Sequence, residues 1–575
     1  MVRRCSRRPL WLLVACLLPP AGGCIFSTWN HVPVPCGPVD TPPPAADVGA
    51  QQVIESVAPE PRQVPPAPPD PKERLKIPPE LPGADVPPIV LDENEAKREK
   101  QIRELYKPLP PLGDDVQPVL GPNGQPLTLP ELQQIALTRN PRIAQARAQV
   151  ESARGAAIQA GLYPNPVVGF QGDSIGEVGT PGQPGGFFEQ IIKTAGKLRL
   201  ARLAALMEHA NAQLALRRAE ADLIGQVRAG FFSVLVAREN VRVTRALARL
   251  ADEVYRLQIA QLRSGQAAGY EPMQVYVLAV QARAALLQAR NRYVSAWKQL
   301  AAVLSDPRMP PTELAGRPDV AVPEYPYEAA LARILSAHTD VGTAQNSILR
   351  AQYNLRLAEV TPIPDIQDHF YVEHDLTSQP HRTQVGVQVG VALPLWDRNQ
   401  GNILSARAQL ARAEQDVPRV RNDLSQQLAA IYERYLNNRA FVTYYRDRIV
   451  PSQVLVYRTM YKRWHAEPEK ISFNDVVTAQ QTLGNVLATY LQSLQAQWES
   501  VVDLATLLQT DDLYELGQDS THPPSCPLDE LVDPTQPLPA PMPRSMPEAG
   551  SVAPVPPDSA DLKRVRFVPV PVHGR

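Results

Sequence analysis

The residues best suited to bind a metal ion form one cluster in the second half of the chain. They are His369, Glu373, His374, Asp375 and His381, and imidazole with carboxylate is a ligand set for zinc and similar ions. In a strand, His369 and His374 are five residues apart and lie on opposite faces, so at most His369 and Glu373 share a side. The pattern favours a solvated extracellular loop over a metal site.

No other part of the sequence predicts catalysis. It contains no nucleophile–base pair, phosphate-binding loop or zinc motif, so we expect no catalytic residues and no cofactor. The formal net charge is -1 with 20% charged residues, which does not predict a nucleic-acid partner. An enzyme is therefore not expected.

The N-terminus predicts export. Arginines between positions 3 and 8, an apolar segment at 10–18 and small residues before Cys24 are typical of a signal peptide spanning 1–23. Acylation of Cys24, as in bacterial lipoproteins, would anchor the mature chain in a membrane. Ordinary cleavage with an incidental Cys24 is the alternative.

Residues 127–510 show an internal duplication, with one copy at 127–320 and the other at 321–510. Tyr163-Pro164-Asn165-Pro166 in the first copy corresponds to Thr361-Pro362-Ile363-Pro364 in the second, and each copy continues through a short alternating segment to a glycine. Most of the 61 prolines lie outside this unit. Residues 24–126, with a charged helical island at 92–106, are expected to be a disordered linker, and 511–575 a disordered tail.

The alternating segments predict β-strands. Residues 383–393 place valines on one face and Gln, Gly or Ala on the other, over a length that fits a transmembrane strand. Partner strands are expected at 365–375, 166–174 and 186–193. Four strands cannot close a barrel, so other subunits must complete it. A soluble pair of hairpins at the end of a helical bundle is the alternative.

Long helical arms follow each predicted hairpin. Residues 196–263 contain no proline and turn back near 264 into a helix at 271–304; the second copy repeats this at 401–464 and 473–508. Pro418 and Pro451 predict bends or breaks. The arms are rich in alanine, so thin coiled coils are expected rather than a thick core.

Together these features resemble the TolC family of outer-membrane efflux ducts. The resemblance covers residues 127–510 and depends on the duplication, on Tyr163–Pro166, on Leu393-Pro394-Leu395-Trp396-Asp397 and on the helix start at Asp475–Gln480. Glu189–Lys197 further resembles the branch that serves cobalt-zinc-cadmium type metal efflux.

The resemblance implies a mainly α fold with a small β part. Three chains would form one α-barrel of duplicated helical hairpins in the periplasm and one twelve-stranded β-barrel in outer-membrane lipid, four strands coming from each chain. Such a duct passively conducts metal ions or small toxic compounds. A periplasmic adaptor protein and an inner-membrane pump of RND or ABC type would be its partners.

The resemblance also implies two functional regions at the periplasmic end. The adaptor would dock at the hairpin tips, which are Arg263, Ser264 and Gly265 in the first copy and His465 to Glu469, including Glu467, in the second. A plain turn, with Gly265 supplying a positive φ, is the alternative.

The periplasmic gate of the family is a ring of acidic side chains. Asp475 matches the first acidic position, Thr478 replaces the second, and Glu271 is an approximate counterpart from the first copy. A trimer would bring three Asp475 carboxylates together around a narrow, cation-favouring pore. A helix cap is the alternative for Asp475.

Two other functions stay open. A duct of this type could serve type I protein secretion. A periplasmic coiled-coil adaptor or scaffold is the alternative from another class, but it would have a single hairpin flanked by β-domains, and the duplication favours the duct.

Overall fold

The computed structural model describes residues 81–114, 117–179, 181–466 and 473–514. The chain divides into two compact units, Met1–Pro87 and Pro88–Arg575, and every helix and strand named below belongs to the second. The predicted signal peptide, Cys24, Glu467 and nearly all of the C-terminal tail lie outside the described residues.

The elements occur in two similar series. After a short helix, α1 (Glu95–Leu105), the first series contains α2 (Leu129–Arg139), α3 (Pro141–Gln159), β1 (Val167–Asp173), β2 (Gln183–Ile192), α4 (Lys197–Arg263) and α5 (Tyr270–Val303). The second contains α6 (Tyr327–Ala337), α7 (Thr339–Val360), β3 (Ile366–Asp375), β4 (Arg382–Val391), α8 (Gln400–Tyr444), α9 (Val450–Ala466) and α10 (Phe473–Leu508). The predicted duplication is confirmed, because a helix pair, a hairpin and two helical arms occur twice in the same order.

Local signals in the sequence explain how the first series starts. The Glu131 side chain accepts a hydrogen bond of 2.8 Å from the backbone N–H of Thr128, and Pro130 occupies the first turn of α2, where its missing N–H costs nothing. Asn140 ends α2 and caps α3, its Oδ1 accepting from the N–H of Arg142 at 2.9 Å. These two helices lead the chain to the start of β1.

The four strands form one antiparallel sheet in the order β1-β2-β3-β4. All four lie within three residues of the predicted positions, which were 166–174, 186–193, 365–375 and 383–393. The histidine cluster, however, is not in a loop as expected: His369, Glu373 and His374 are part of β3, and only His381 lies between strands. Glu373, His374 and Asp375 pair with Gln384, Thr383 and Arg382 of β4, and this pairing extends the strand through the cluster.

The helical arms are long and mostly uninterrupted. The 67 residues of α4 correspond to about 100 Å at 1.5 Å per residue. Pro418 lies inside α8 without ending it. Of the bend or break expected there, the break is therefore wrong, and the bend stays a prediction. At Pro451 the chain does deviate, through a π-helical turn at Tyr445–Ile449 immediately before α9. A proline cannot donate its backbone N–H, which favours such a local irregularity.

Residues 88–114, here called the strap, differ from the disordered linker expected up to residue 126. The helical island becomes α1, and its Ile102 and Tyr106 are buried in an apolar cluster with residues of α4 and α5. Beyond the strap, Val119 and Leu127 form isolated β-bridges with Thr312 and Leu314. A proline-rich composition hid these contacts, because the few apolar residues that make them are widely spaced.

The largest core lies where α4, α5, α8 and α10 meet the helix pairs. Phe232 and Trp498 stack with ring centroids 3.7 Å apart, and the indole of Trp498 donates to the carbonyl of Pro318 at 2.6 Å. Trp297 is equally buried and donates to the carbonyl of Met309 at 3.0 Å. These bonds fix the connection between the two copies, residues 305–326, against the long helices.

Candidate functional site

One face of the sheet is mainly apolar, with Gln190 and Asp368 as polar residues on it. Paired residues of antiparallel strands share a face, and Val168, Phe188, Phe370 and Val387 form one row across all four strands. Val387 is 65% exposed and Phe170, two residues along β1 from Val168, is 76% exposed. A row of exposed, large apolar side chains is typical of a surface that faces lipid or another protein.

The opposite face is polar with inserted aromatic rings. Its central row contains Glu189, His369 and Gln388. In the next row the ring of Tyr371 covers Gly386, where an added Cβ would lie 2.1 Å from the ring. The glycines of the alternating pattern therefore make room for rings on this face, which is typical of a filled or water-lined interior.

Each edge strand of the sheet, β1 and β4, has one neighbour within the described chain. An apolar-faced sheet with two open edges cannot be stable in lipid, because its edge N–H and C=O groups would be unsatisfied. The geometry therefore calls for further strands from other copies.

The junction between the sheet and the helices contains an ionic cluster. Asp365, just before β3, accepts hydrogen bonds from Lys193 Nζ and Lys197 Nζ, both at 2.8 Å, and from the Thr194 N–H at 3.1 Å. Burial raises the pKa of the Asp365 carboxyl, but these three donors outweigh it and hold the pKa well below its usual range. Both lysines belong to the 189–197 motif, so this motif joins the first copy to the second.

The first tip is a well-formed helix end. Gly265 has φ +76°, and the N–H of Gln266 reaches back to the carbonyl of Gln261 at 2.9 Å, as in a Schellman-type C-cap. The Ser264 hydroxyl donates to the same carbonyl at 3.0 Å. These bonds account for Ser264 and Gly265 as a turn, whereas Arg263 is half exposed and pairs with Glu99 of the strap at 3.5 Å.

The second tip is described only in part. His465 belongs to the last turn of α9, which ends at Ala466, and α10 begins at Phe473. Glu467 lies in the gap between these helices, outside the described residues. The role predicted for His465 and Glu467 stays a prediction.

The predicted gate residues occupy corresponding positions in the two copies. Asp475 and Glu271 both lie in the first turn of a returning helix, α10 and α5 respectively. Glu271 is partly buried and accepts a hydrogen bond of 2.6 Å from the Gln258 side chain of α4, whereas Asp475 is exposed. The Thr478 hydroxyl donates to the carbonyl of Asn474 at 2.8 Å, so it is engaged within its own helix.

Two negative findings apply to the described ranges only. They hold no group of three or more His, Cys, Asp or Glu side chains placed to bind a metal ion. None of their helices is both long and apolar enough to cross a membrane.

Sequence reasoning missed Asp365 and the strap. Both lysines around Asp365 stood in the motif 189–197, but their partner lies about 170 residues away, and only the fold brings it near. Tyr106 could have been noticed as an aromatic residue at the end of the charged island, although nothing in the sequence showed what it contacts.

Comparisons with known proteins support the resemblance. Residues 132–305 match the family described as outer membrane efflux protein. A curated relative, the cobalt-zinc-cadmium resistance protein CzcC of Cupriavidus metallidurans, is 24% identical over 382 residues, covering 65% of this chain and 88% of the relative.

Solved outer-membrane channels share the fold. VceC of Vibrio cholerae superimposes with a TM-score of 0.53 at 17% identity, over 66% of this chain and 96% of that one. The open state of MtrE of Neisseria gonorrhoeae gives 0.52 at 19% identity, over 68% and 91%, and CusC gives 0.53 at 15%, over 70% and 98%. Residues 132–305 thus match the outer membrane efflux protein family, and the chain shares the fold of these solved outer-membrane channels.

Proposed function

We propose that this protein is the outer-membrane channel of a tripartite efflux system. It passively conducts cations or small toxic compounds that an inner-membrane pump, joined through a periplasmic adaptor, delivers to it. The observation that carries the proposal is the four-stranded sheet with one apolar face and open edges, continuous with two long helical hairpins. Such a sheet requires partner copies, and three copies supply twelve strands.

Metal ions are the favoured cargo. The curated relative is a cobalt-zinc-cadmium resistance protein, and the polar face of the sheet carries Glu189, His369 and Glu373 on neighbouring strands. Carboxylates and imidazoles along an interior favour the passage of cations without binding them tightly, provided that they do not converge into a ligand set. Asp475, near the start of α10, would add a ring of negative charge at the periplasmic end.

The outer membrane is the proposed location, with Cys24 as a lipid anchor. Support for the anchor comes from the sequence alone, through the signal peptide and the small residues before Cys24. Mass spectrometry of the mature N-terminus tests it. An unmodified chain that starts elsewhere would remove the anchor and leave the channel intact.

Metal resistance of the native host tests the function. Deletion of the gene should increase sensitivity to cobalt, zinc or cadmium, and re-expression of the intact chain should restore growth. Purified protein in planar bilayers should give ion-conducting channels of one main conductance. Normal resistance in the deletion strain, together with loss of secretion of a defined protein, would favour the protein-secretion alternative.

A further inference from the structure

The strap crosses both helices of the first hairpin and follows them away from the tip. At the tip, the Tyr106 hydroxyl donates to the carbonyl of Gly269, just before α5. Further along, the Tyr255 hydroxyl of α4 donates to the carbonyl of Lys107 at 3.2 Å, and Arg283 of α5 donates to the carbonyl of Pro110 at 2.5 Å. Bonds to α4 and α5 therefore alternate along the strap.

At the far end of the strap the same arrangement repeats. Arg245 of α4 donates to the carbonyl of Gly113 at 3.0 Å, and Arg290 of α5 donates to the same oxygen. From Gly269 to Arg290, α5 advances by 21 residues, or about 32 Å at 1.5 Å per residue. One short segment thus joins the two helices at several levels.

Two apolar side chains of the strap are as buried as residues of the main core. Ile102 is 1% exposed and Tyr106 4% exposed. They share one cluster with Val254 and Leu262 of α4 and with Val275 of α5. Since the cluster contains residues of both helices, removal of the strap would expose apolar side chains of α4 and of α5.

Charged groups reinforce the contact of the strap with α4 and α5, both beside the tip and further along the helices. Glu99 accepts from Arg103 at 3.1 Å within α1 and lies 3.5 Å from Arg263 of α4. Arg283 pairs with Asp252 of α4 at 2.7 Å, and both side chains of this pair are mostly buried. Arg283 therefore links α5 to α4 and to the strap at once.

The second hairpin is preceded by a different segment. Residues 305–326, which lead into the second copy, contain no helix and meet α10 at Tyr490 and Trp498 through Asp319 and Pro318. These contacts lie 17 and 25 residues from Phe473, the first residue of α10. The segment that leads into the second copy thus contacts α10 well away from its tip, unlike the strap.

We propose that the strap is an intramolecular clamp that holds α4 and α5 together at the periplasmic end of the first hairpin. The clamp stabilises the paired arrangement of α4 and α5 near this tip. Arg263, which the sequence assigned to partner docking, then also serves as an anchor for the strap. The proposal concerns the conformation of the hairpin and does not depend on what the channel transports.

Hydrogen exchange of the full-length, detergent-solubilised protein tests the clamp. In Ile102→Ala, backbone amides of 250–263 and 271–283 should exchange at least about tenfold faster, because local opening no longer has to expose the apolar cluster. Peptides from α9 and α10 serve as the internal reference and should not change. Lys100→Ala, on the exposed side of α1, is the matched control and should match the parent protein.

Unchanged exchange of α4 and α5 in Ile102→Ala would overturn the proposal, even if α1 itself loosens. Tyr106→Phe, which loses only the bond to Gly269, provides the same test if the first variant does not assemble, and a smaller acceleration confined to 262–275 is expected. Absence of metal efflux in the parent protein would overturn the proposed function and leave the clamp standing.

Discussion

The two faces of β4 give the most direct test of the barrel. Val387 and Gln388 are neighbours whose side chains lie on opposite faces, Val387 in the row with Phe370 and Gln388 in the row with His369. Val387 is the sixth of the ten residues of β4, so in a spanning strand it lies near the bilayer midplane. Lysine at such a lipid-facing position costs about 2–4 kcal/mol per chain.

Three chains carry the substitution in a trimer, so the total cost of Val387→Lys is about 6–12 kcal/mol, the range of a whole domain's stability. We therefore expect little or no SDS-resistant trimer of this variant in unheated outer-membrane fractions. Gln388→Lys adds the same charge one residue away on the polar face and should assemble normally. The comparison is read from SDS gels of unheated and heated membranes.

Equal amounts of trimer from both variants would refute the assignment of the apolar face to lipid. A defect confined to Gln388→Lys would mean that the polar face contacts lipid and the apolar face lines the interior. The first result would favour the soluble hairpin pair that the sequence left open.

Three further predictions follow from the junction, the tip and the gate. Asp365→Asn should lower trimer stability by about 2–3 kcal/mol at neutral pH, because two charge-assisted bonds are lost. Folding lowers the pKa of Asp365, so its contribution to stability is present above pH ~4 and is lost as the pH falls through the lowered pKa. Thermal melts of the parent protein and the variant should therefore converge at low pH. Arg263→Glu should abolish metal resistance while the trimer stays in the membrane, and adding Glu99→Arg should not restore it; full recovery in the double variant would mean that Arg263 acts only through the strap. Asp475→Ala should weaken cation selectivity and block by polyvalent cations in planar bilayers, with a smaller effect for Glu271→Ala because Glu271 is partly buried and Asp475 is exposed. Unchanged conductance, selectivity and block in Asp475→Ala would make that residue a helix cap.

Much of the fold could be predicted from local patterns. The alternation at 383–393 depends on the period of a strand alone, and Thr128 with Glu131 depends on a short-range capping bond. For the same reason the end of α4 and the start of α2 were predicted to within a few residues, since Gly265 and Pro130 determine the local backbone geometry.

What could not be predicted depends on distant contacts. Ile102 and Tyr106 become core residues only because α4 and α5 provide an apolar surface, and a proline-rich composition gave no sign of it. The partner of Lys193 and Lys197 lies in the other copy. For the gate, the sequence located Asp475 and Glu271 at equivalent helix starts but could not show that Glu271 accepts a hydrogen bond from Gln258 of α4.

The duplication and the strap together have a consequence for symmetry. A trimer of a chain with two hairpins presents six hairpins around its axis, an arrangement close to sixfold. Because the strap lies on the first hairpin, with α1 beside Arg263, those six fall into two alternating classes of three. A ring-shaped partner that approaches the periplasmic end would therefore meet threefold rather than sixfold symmetry. It would find two chemically different docking positions on hairpins that are similar in fold.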